Sequence, residues 1–418
     1  MRLGLAIAIG VLVAGGVAWA LHAPGRLTLL PGGAFLTGGS PAGEPAIEHV
    51  LADELPILIR DTDEDVHGRS ESGIKRAVHA ALLRISPAMS AYGPALANAW
   101  ADLIDALGRW DAAPSKRHLA ELRASAHAVS EQLAALGIGY HLEANAIGDH
   151  AVVFAFLVED VAYEHSGDRA VRVLSLRRID LLNVKNALLG MQTDDGADPV
   201  VLLDAVDDLA RSKLYERGYF QLGDDSWASS PDGQRLGEAA GAAIAHELAG
   251  KSGLDARELL AASVRRHEAR HAIDIARTNP PPDPPALARY VPGDSTLVLR
   301  SRAELTAYLC QIGSDPTTPH LALWNLANIG FGASYRGTAE SFVAAVVIEG
   351  LARHLGVRGT DVPVVKGTTI DRTRLAALAL PLAALSDDDL RHAARELWVD
   401  LYHTPFEPMV DASATIEP

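Results

Sequence analysis

Cysteine is almost absent: the chain has one, Cys310, in 418 residues. One cysteine can form no internal disulfide and no cysteine-rich zinc ribbon. Cys310 sits in an apolar helical run and reads as a small core residue. Aromatic residues are scarce too, at 5%, so the 48% of apolar residues must build a core mainly of Ala, Leu, Val and Ile. Ala-rich stretches with Leu and Glu favour helix over strand. Long runs of Lys or Arg are missing, and the formal net charge is -16. A binder of phosphate backbones carries a basic patch, so nucleic acid is not an expected partner. No internal repeat is visible, and strands do not alternate with helices. The expected fold is therefore α+β and mostly helical, in a chain long enough for one large domain or two ordinary ones.

What is present begins at the N-terminus. Arg2 precedes an uncharged run from Leu3 to Leu21, and Ala18-Trp19-Ala20 has the small-x-small form of a signal-peptidase site. The run is long for a signal peptide and near the lower limit for a spanning helix. Residues 1–21 are thus expected to be a signal peptide or a membrane anchor. Arg2 favours an inside N-terminus, which puts the body outside the cytoplasm, in the periplasm or beyond. Membrane contact is expected only through this segment.

Residues 22–46 are rich in Gly and Pro (Pro31-Gly32-Gly33, Gly38-Gly39, Pro41) and read as a linker. Residues 47–136 pattern as a helical N-terminal region. Within them Asp61, Asp63 and Asp65 open like a calcium loop. Val66 and Ser72 stand where that loop needs Gly and Glu, so a solvated acidic turn is expected. The remaining residues, 137–418, are expected to form the catalytic region. It opens with a small antiparallel β meander at about 139–180. Tyr140–Asn145, Ala151–Glu164 and Ala170–Ile179 are rich in Val, Leu, Phe and Tyr, and Gly148-Asp149 and Ser166-Gly167-Asp168 separate them at hairpin spacing. Helical patterning resumes at about Leu181. One helix is expected from about Gln234 to Ala249, stopped by Gly250. The next begins at Asp255, with Glu258 completing a capping box, and can run to Arg277 before Pro280-Pro281-Pro282.

Inside that second helix lies His267-Glu268-Ala269-Arg270-His271. Two histidines four apart fall roughly 40° apart around the axis, one turn up, so both imidazoles can face one ion. Glu268 follows the first of them, where it can take a proton from a metal-bound water. Zinc suits this work because it polarises a carbonyl and acidifies water without redox chemistry. Leu260, Val264, His267, His271 and Asp274 follow a heptad-like stripe that continues the inward face. Asp274 is placed to accept the other ring proton of a liganding histidine. A catalytic zinc needs a third protein ligand, and Glu304 is the candidate, on a short helix from Arg302 to Ile312 after the strand-like Ser295–Leu299. Ser301-Arg302-Ala303-Glu304 is also a capping-box pattern, so Glu304 is read either as ligand or as cap, with Glu340 and Glu349 in reserve. Tyr308, one turn beyond Glu304, can reach a substrate carbonyl or its oxyanion.

His267-Glu268-Ala269-Arg270-His271 with a downstream Glu304 resembles the gluzincin branch of the zinc metallopeptidases, and Asp274 adds the HExxHxxD form of that motif. The likeness covers about residues 255–312. It implies a zincin-like active-site helix, with His267, His271 and Glu304 as zinc ligands and Glu268 as general base. The substrate it implies is a peptide or protein. Arg270 departs from the pattern, since such helices usually carry an uncharged residue there, and Arg265 and Arg266 are unusual just before the motif. Those arginines also fit a rival reading, a non-catalytic envelope protein that binds metal or serves as a scaffold. A further rival starts from Gly293-Asp294-Ser295 and Asp389-Leu390-Arg391-His392. These resemble the GDS-type serine esterases, with Ser295, Asp389 and His392 as the triad. Pro292-Gly293-Asp294 reads better as a turn, and Asp387–Asp389 as first-turn acids after Ser386. His320, His354, His392 and His403 are isolated and read as structural or exposed; of these, His320 is the one that could touch a substrate.

Overall fold

Runs rich in Val, Leu, Phe and Tyr lay down the sheet, and Ala- and Leu-rich stretches lay down the helices around it. The structure is a computed structural model that describes residues 50, 51, 55, 82–147, 150–180, 189–191, 198–211, 220–251, 253–277, 281–291, 293 and 295–412. The N-terminal segment 1–21, the linker 22–46 and the acidic turn at Asp61–Asp65 lie outside the described residues. Among the described residues, no helix is long and apolar enough to cross a membrane. The fold is α+β and mostly helical, as the composition implied.

The chain divides into two compact units, and strands β2 (His150–Ser166) and β3 (Arg169–Arg178) pass from one to the other. The first unit holds residues up to Val161 together with Leu176–Lys185. It contains helices α1 (Pro94–Ala112) and α2 (Lys116–Ala135), and β1 (Tyr140–Ile147) paired antiparallel with the start of β2. Ser115 caps α2 by accepting from the His118 N–H. Trp100, Leu103, Leu122, Val129 and Leu142 lie in its core.

The second unit holds Ala162–Ser175 and Asn186–Glu417. Its short strands are β4 (Gly190–Met191) and β5 (Val200–Leu202), and β3 is followed by β5 and then β4 in strand order. The helical patterning read from Leu181 onward overlooked these two. Strands of two and three residues are too short to show a period. Helices α3 (Leu203–Leu209), α4 (Pro231–Glu247), α5 (Gly253–Ile275), α6 (Ser295–Ser314), α7 (Pro319–Phe331) and α8 (Ala339–His354) follow. A hairpin of β6 (Val365–Lys366) and β7 (Thr369–Ile370), helices α9 (Arg372–Ala379) and α10 (Asp387–Tyr402), and β8 (Val410–Asp411) complete it. β8 pairs with the end of β2, Glu164 opposite Asp411.

Several helix ends follow the signals in the sequence; α5 does not, since it starts at Gly253 and ends at Ile275, which puts Asp255 inside the helix and removes the expected capping box with Glu258. Gly250, past the end of α4, adopts φ +76, a conformation open to glycine. Ser386 caps α10 ahead of Asp387, Asp388 and Asp389, as the first-turn reading expected. Glu247, in the last turn of α4, accepts from the backbone N–H groups of His320 and Leu321 and so caps α7. His320 itself turns its Nε2 to the Leu385 carbonyl at 3.0 Å, a structural contact. His354 lies 3.1 Å from Asp400, and His403 ends α10 in the left-handed region at φ 54.

One expectation fails in a way that matters. Ser295–Leu299 is not strand-like: it is the first part of α6, which runs unbroken from Ser295 to Ser314. Thr296, Leu297, Val298 and Leu299 are exposed or half-buried, but they extend a helix that is largely buried from Ser301 onward and packs against α5, α7, α8 and α10, and that packing overrides local preference. Glu304 therefore sits in the middle of a long helix. Ser301 cannot be an N-cap, and the capping-box reading of Ser301–Glu304 falls.

Candidate metal centre

α5 is buried on every side through the motif. Arg266, His267, Glu268, Ala269 and Arg270 are all buried in succession, which takes the helix off the protein surface. The arginines that seemed foreign to such a motif explain why this is possible. Arg265 Nε donates to Glu164 at 3.0 Å and its other end meets Asp411 at 3.3 Å. Arg266 Nη1 donates to the buried Asp315 at 3.1 Å. Asp315 also accepts from the backbone of Thr317 and Thr318, so this pair ties α5 to the turn between α6 and α7. Arg270, fully buried, pairs with Asp274 through Nε at 3.0 Å and Nη2 at 2.9 Å and lies over the Trp398 ring. Each arginine side chain is matched by carboxylates from α5 or neighbouring elements.

α6 runs antiparallel to α5 across the site. Ser263 of α5 faces Gln311 of α6, and His267 and His271 face Glu304. The two imidazoles turn their Nε2 atoms toward each other at 3.1 Å. Glu304 Oε2 lies 3.3 Å from His267 Nε2 and 3.8 Å from His271 Nε2. These three residues form a group able to hold a metal ion, with ligand atoms all within 4.8 Å of one another. Bonds of about 2.1 Å around a tetrahedral ion put neighbouring donors roughly 3.4 Å apart, and the three separations bracket that value. Two neutral nitrogens and one carboxylate oxygen suit a first-row divalent metal.

The electrostatics agree with that use. Burial pushes the His271 imidazole down to about 4, with the Glu304 charge opposing and too weak to reverse it, so the ring is neutral at neutral pH. Burial also lowers His267, but the hydrogen bond to Glu304 and the charges of Glu268 and Glu304 outweigh it and raise this ring. Burial works to raise the Glu304 carboxyl. The two imidazoles beside it prevail and hold it below the usual carboxylate range, ionised and ready to ligate.

Glu268 does not join the ligand group. Its carboxyl lies directly on Gly190 of β4: a Cβ built there would meet Glu268 Oε1 at 2.6 Å. Burial raises the Glu268 carboxyl to about 7, with the His267 charge working against it. A carboxyl poised near neutrality is what general-base work needs. Tyr308 sits one turn after Glu304, its ring edge-on to His267 with centroids 4.4 Å apart. Burial, with the charges of Glu304, Glu340 and Glu268, keeps its phenol protonated.

The remaining expected residues fall elsewhere. Asp274 lies between Arg270 and Arg277, at 2.9 and 3.4 Å, and its contacts are with these arginines and not with a histidine ring. Glu340 pairs with Arg300 at 3.2 Å, and Glu349 accepts from the Tyr290 hydroxyl and the Val364 N–H. Neither reserve carboxylate belongs to the ligand group. Asp389 is engaged with Ser386 at 2.7 Å in the cap of α10, where His392 also lies, and Ser295 opens α6. Sequence reasoning missed Gly190. No signal in the residues around Gly190 marks it as an approach point. Compared with protein families, curated proteins and solved structures, the chain matches none of them.

Proposed function

We propose that the chain is a zinc-dependent peptidase that hydrolyses peptide bonds in a peptide or protein substrate. The observation that carries this reading is the convergence of His267 Nε2, His271 Nε2 and Glu304 Oε2, with the buried carboxyl of Glu268 next to them outside the ligand group. Zinc held by the three ligands would supply Lewis acidity toward the scissile carbonyl and toward water. Glu268 accepts the proton of the attacking water and passes it to the leaving amine. The protonated Tyr308 hydroxyl donates to the oxygen on which negative charge develops. β4 is last in strand order among the described residues and carries Gly190 against Glu268. An extended peptide laid along it would bring its backbone to the catalytic carboxyl.

The buried arginines count against the scaffold reading, because they hold α5 in place and do not fill the ligand group. Arg2 and the uncharged run to Leu21 support an exported or membrane-anchored body. The test is metal content and hydrolysis together. Wild-type protein purified without chelator should carry about one zinc per chain and cleave a mixed peptide library. His267→Ala, His271→Ala and Glu304→Ala should lose the metal. Glu268→Gln should keep it and lose cleavage. A metal-free wild type sinks the zinc assignment, a zinc-loaded wild type that cleaves nothing leaves a metal-binding scaffold, and equal cleavage by Glu268→Gln and wild type removes Glu268 as the base.

A further inference from the structure

We propose that two buried ties, Arg266 to Asp315 and Ser263 to Gln311, set the register of α5 against α6 and thereby bring Glu304 to the two histidines. These four are positioning residues, and the inference rests on the zinc reading of His267, His271 and Glu304 above.

The ligand group is split between two helices. His267 and His271 come from α5, and one helical turn fixes their spacing. Glu304 comes from α6, so its place in the group depends on how the two helices lie against each other. A slide by one residue would move it about 1.5 Å, whereas ligand distances tolerate only about 0.2 Å. Leu260 and Val264 of α5 share a core with Leu305, Leu309 and Ile312 of α6. Such apolar contacts are non-directional and resist a slide less than hydrogen bonds do.

The two ties run in different directions. Ser263 and Gln311 stand level with each other, and Gln311 Nε2 donates to Ser263 Oγ at 3.0 Å straight across the interface. Arg266 and Asp315 do not stand level. The helices are antiparallel, so Arg266 lies beyond that level toward the end of α5, while Asp315 lies beyond it the other way, just past the end of α6. Their backbones are thus on the order of 10 Å apart along the axes. The Arg266 side chain spans the interval, leaning back toward the start of α5 as helical side chains do. Its Nη1 donates to Asp315 Oδ2 at 3.1 Å. One tie lies across the helices and the other along them, so together they oppose both separation and sliding.

The far anchor of the long tie is itself held in place. The Asp315 N–H donates to the Gln311 carbonyl at 3.0 Å. Asp315 Oδ1 accepts from the Thr317 and Thr318 N–H groups at 3.0 and 2.7 Å, and Oδ2 accepts from the Thr318 hydroxyl at 3.2 Å. Ser263, Arg266, Gln311 and Asp315 are all buried. Buried polar links add little net stability, because desolvation cancels most of what pairing gains, and fixing a register is their best-attested use. Their place in the chain suits that use, since Arg266 immediately precedes His267.

The test uses the full chain and ZnCl2, with affinity measured by competition against a chelator and folding checked by thermal melts. Arg266→Met combined with Asp315→Asn removes the long tie without leaving a buried charge unpaired, and Asn keeps an oxygen for the Thr317 and Thr318 N–H groups. This protein should melt near wild type and bind zinc on the order of 10-fold more weakly. Coupling to Glu304 is the decisive reading. Once the helices can slip, Glu304 contributes less, so Glu304→Ala should cost about threefold less affinity in that background than in wild type. A loss of stability alone would leave the cost of Glu304→Ala unchanged. A folded double variant that binds zinc as tightly as wild type overturns the inference, and so does weaker binding with the full cost of Glu304→Ala; either leaves the metal site standing. Should the double variant fail to fold, Ser263→Ala combined with Gln311→Leu takes the same two readings. Failure of both to fold overturns the inference, since the ties would then belong to the fold and not to the site. A wild type that binds no zinc defeats both readings, whereas one that binds zinc without cleaving peptides defeats the peptidase reading alone.

Discussion

Asp274 holds the guanidinium of Arg270 one turn back along α5, at 3.0 Å from Nε and 2.9 Å from Nη2, while the Trp398 ring lies 4.7 Å from the guanidinium carbon. The last position of the HExxHxxD pattern is thereby committed to the fold. Asp274→Asn leaves a buried guanidinium short of its counter-charge, and breaking such a pair costs about 3–5 kcal/mol. Urea unfolding should show a loss of that order. The folded fraction should still bind zinc with unchanged stoichiometry. Zinc lost at unchanged stability would return Asp274 to the histidine-supporting role that its spacing suggests.

Ser301 gives a second prediction with an unusual sign. It lies inside α6, fully buried, and its hydroxyl has no hydrogen-bond partner. A capping serine changed to Ala costs about 0.5–2 kcal/mol. Here Ser301→Ala removes an unsatisfied hydroxyl and adds a better helix former, so it should be neutral or stabilising by up to about 1 kcal/mol. Thermal unfolding of the zinc-loaded variant measures it. A clear loss of stability would mean that the hydroxyl has a role in the helix after all.

What could be read in advance tracks how local the signal is. The spacing of His267 and His271 carries its geometry with it, because one helical turn brings two rings to one ion. The meander was legible because Tyr140–Ile147, His150–Ser166 and Arg169–Arg178 are rich in Val, Leu, Phe and Tyr and are separated by turn residues at hairpin spacing. Glu304 was reachable as a carboxylate downstream, but its helix was misjudged, since Thr296 to Leu299 look like a strand until the packing of α6 is known. The arginines were misleading for a different reason. Arg265 finds Glu164 101 residues away and Arg266 finds Asp315 49 residues away. Partners that distant leave no trace beside the motif, and the arginines read locally fitted the rival of a non-catalytic envelope protein. Gly190 is the extreme case, a two-residue strand whose importance lies entirely in what it touches.

The Glu268 carboxyl makes the metal-free protein sensitive to pH. Burial raises it to about 7 from the ordinary 4.5. A group raised on folding contributes its full stability below the unfolded value and loses it as pH rises through the folded one. The metal-free protein should therefore weaken between about pH 4.5 and 7 as Glu268 is forced to ionise, by an amount on the order of 3 kcal/mol. Glu268→Gln has nothing to ionise and should not show this loss. Urea midpoints of chelator-treated wild type and variant at pH 5 and pH 7.5 make the comparison. Parallel pH profiles in the two proteins would show that Glu268 is not the group responsible.

Gly190→Ala tests the base without touching the metal. The new methyl would lie 2.5 Å from Glu268 Cγ, 2.6 Å from Oε1 and 2.7 Å from Cδ, too close for any of them to stay in place. What must give is the side chain of Glu268, since the backbone of β4 is tied to β5 through Gly190 and Val201. The carboxyl can swing, so the fold should survive. The ligands His267, His271 and Glu304 come from α5 and α6, and the three atoms nearest that methyl all belong to Glu268. Zinc content should therefore match wild type. Hydrolysis should not, since a displacement of about 1 Å at a catalytic group costs roughly 100-fold. The loss should appear in kcat more than in KM, as the base acts on the water and contributes little to holding the peptide. Full activity in a zinc-loaded Gly190→Ala protein would mean that Glu268 works from a position other than the one it holds against β4.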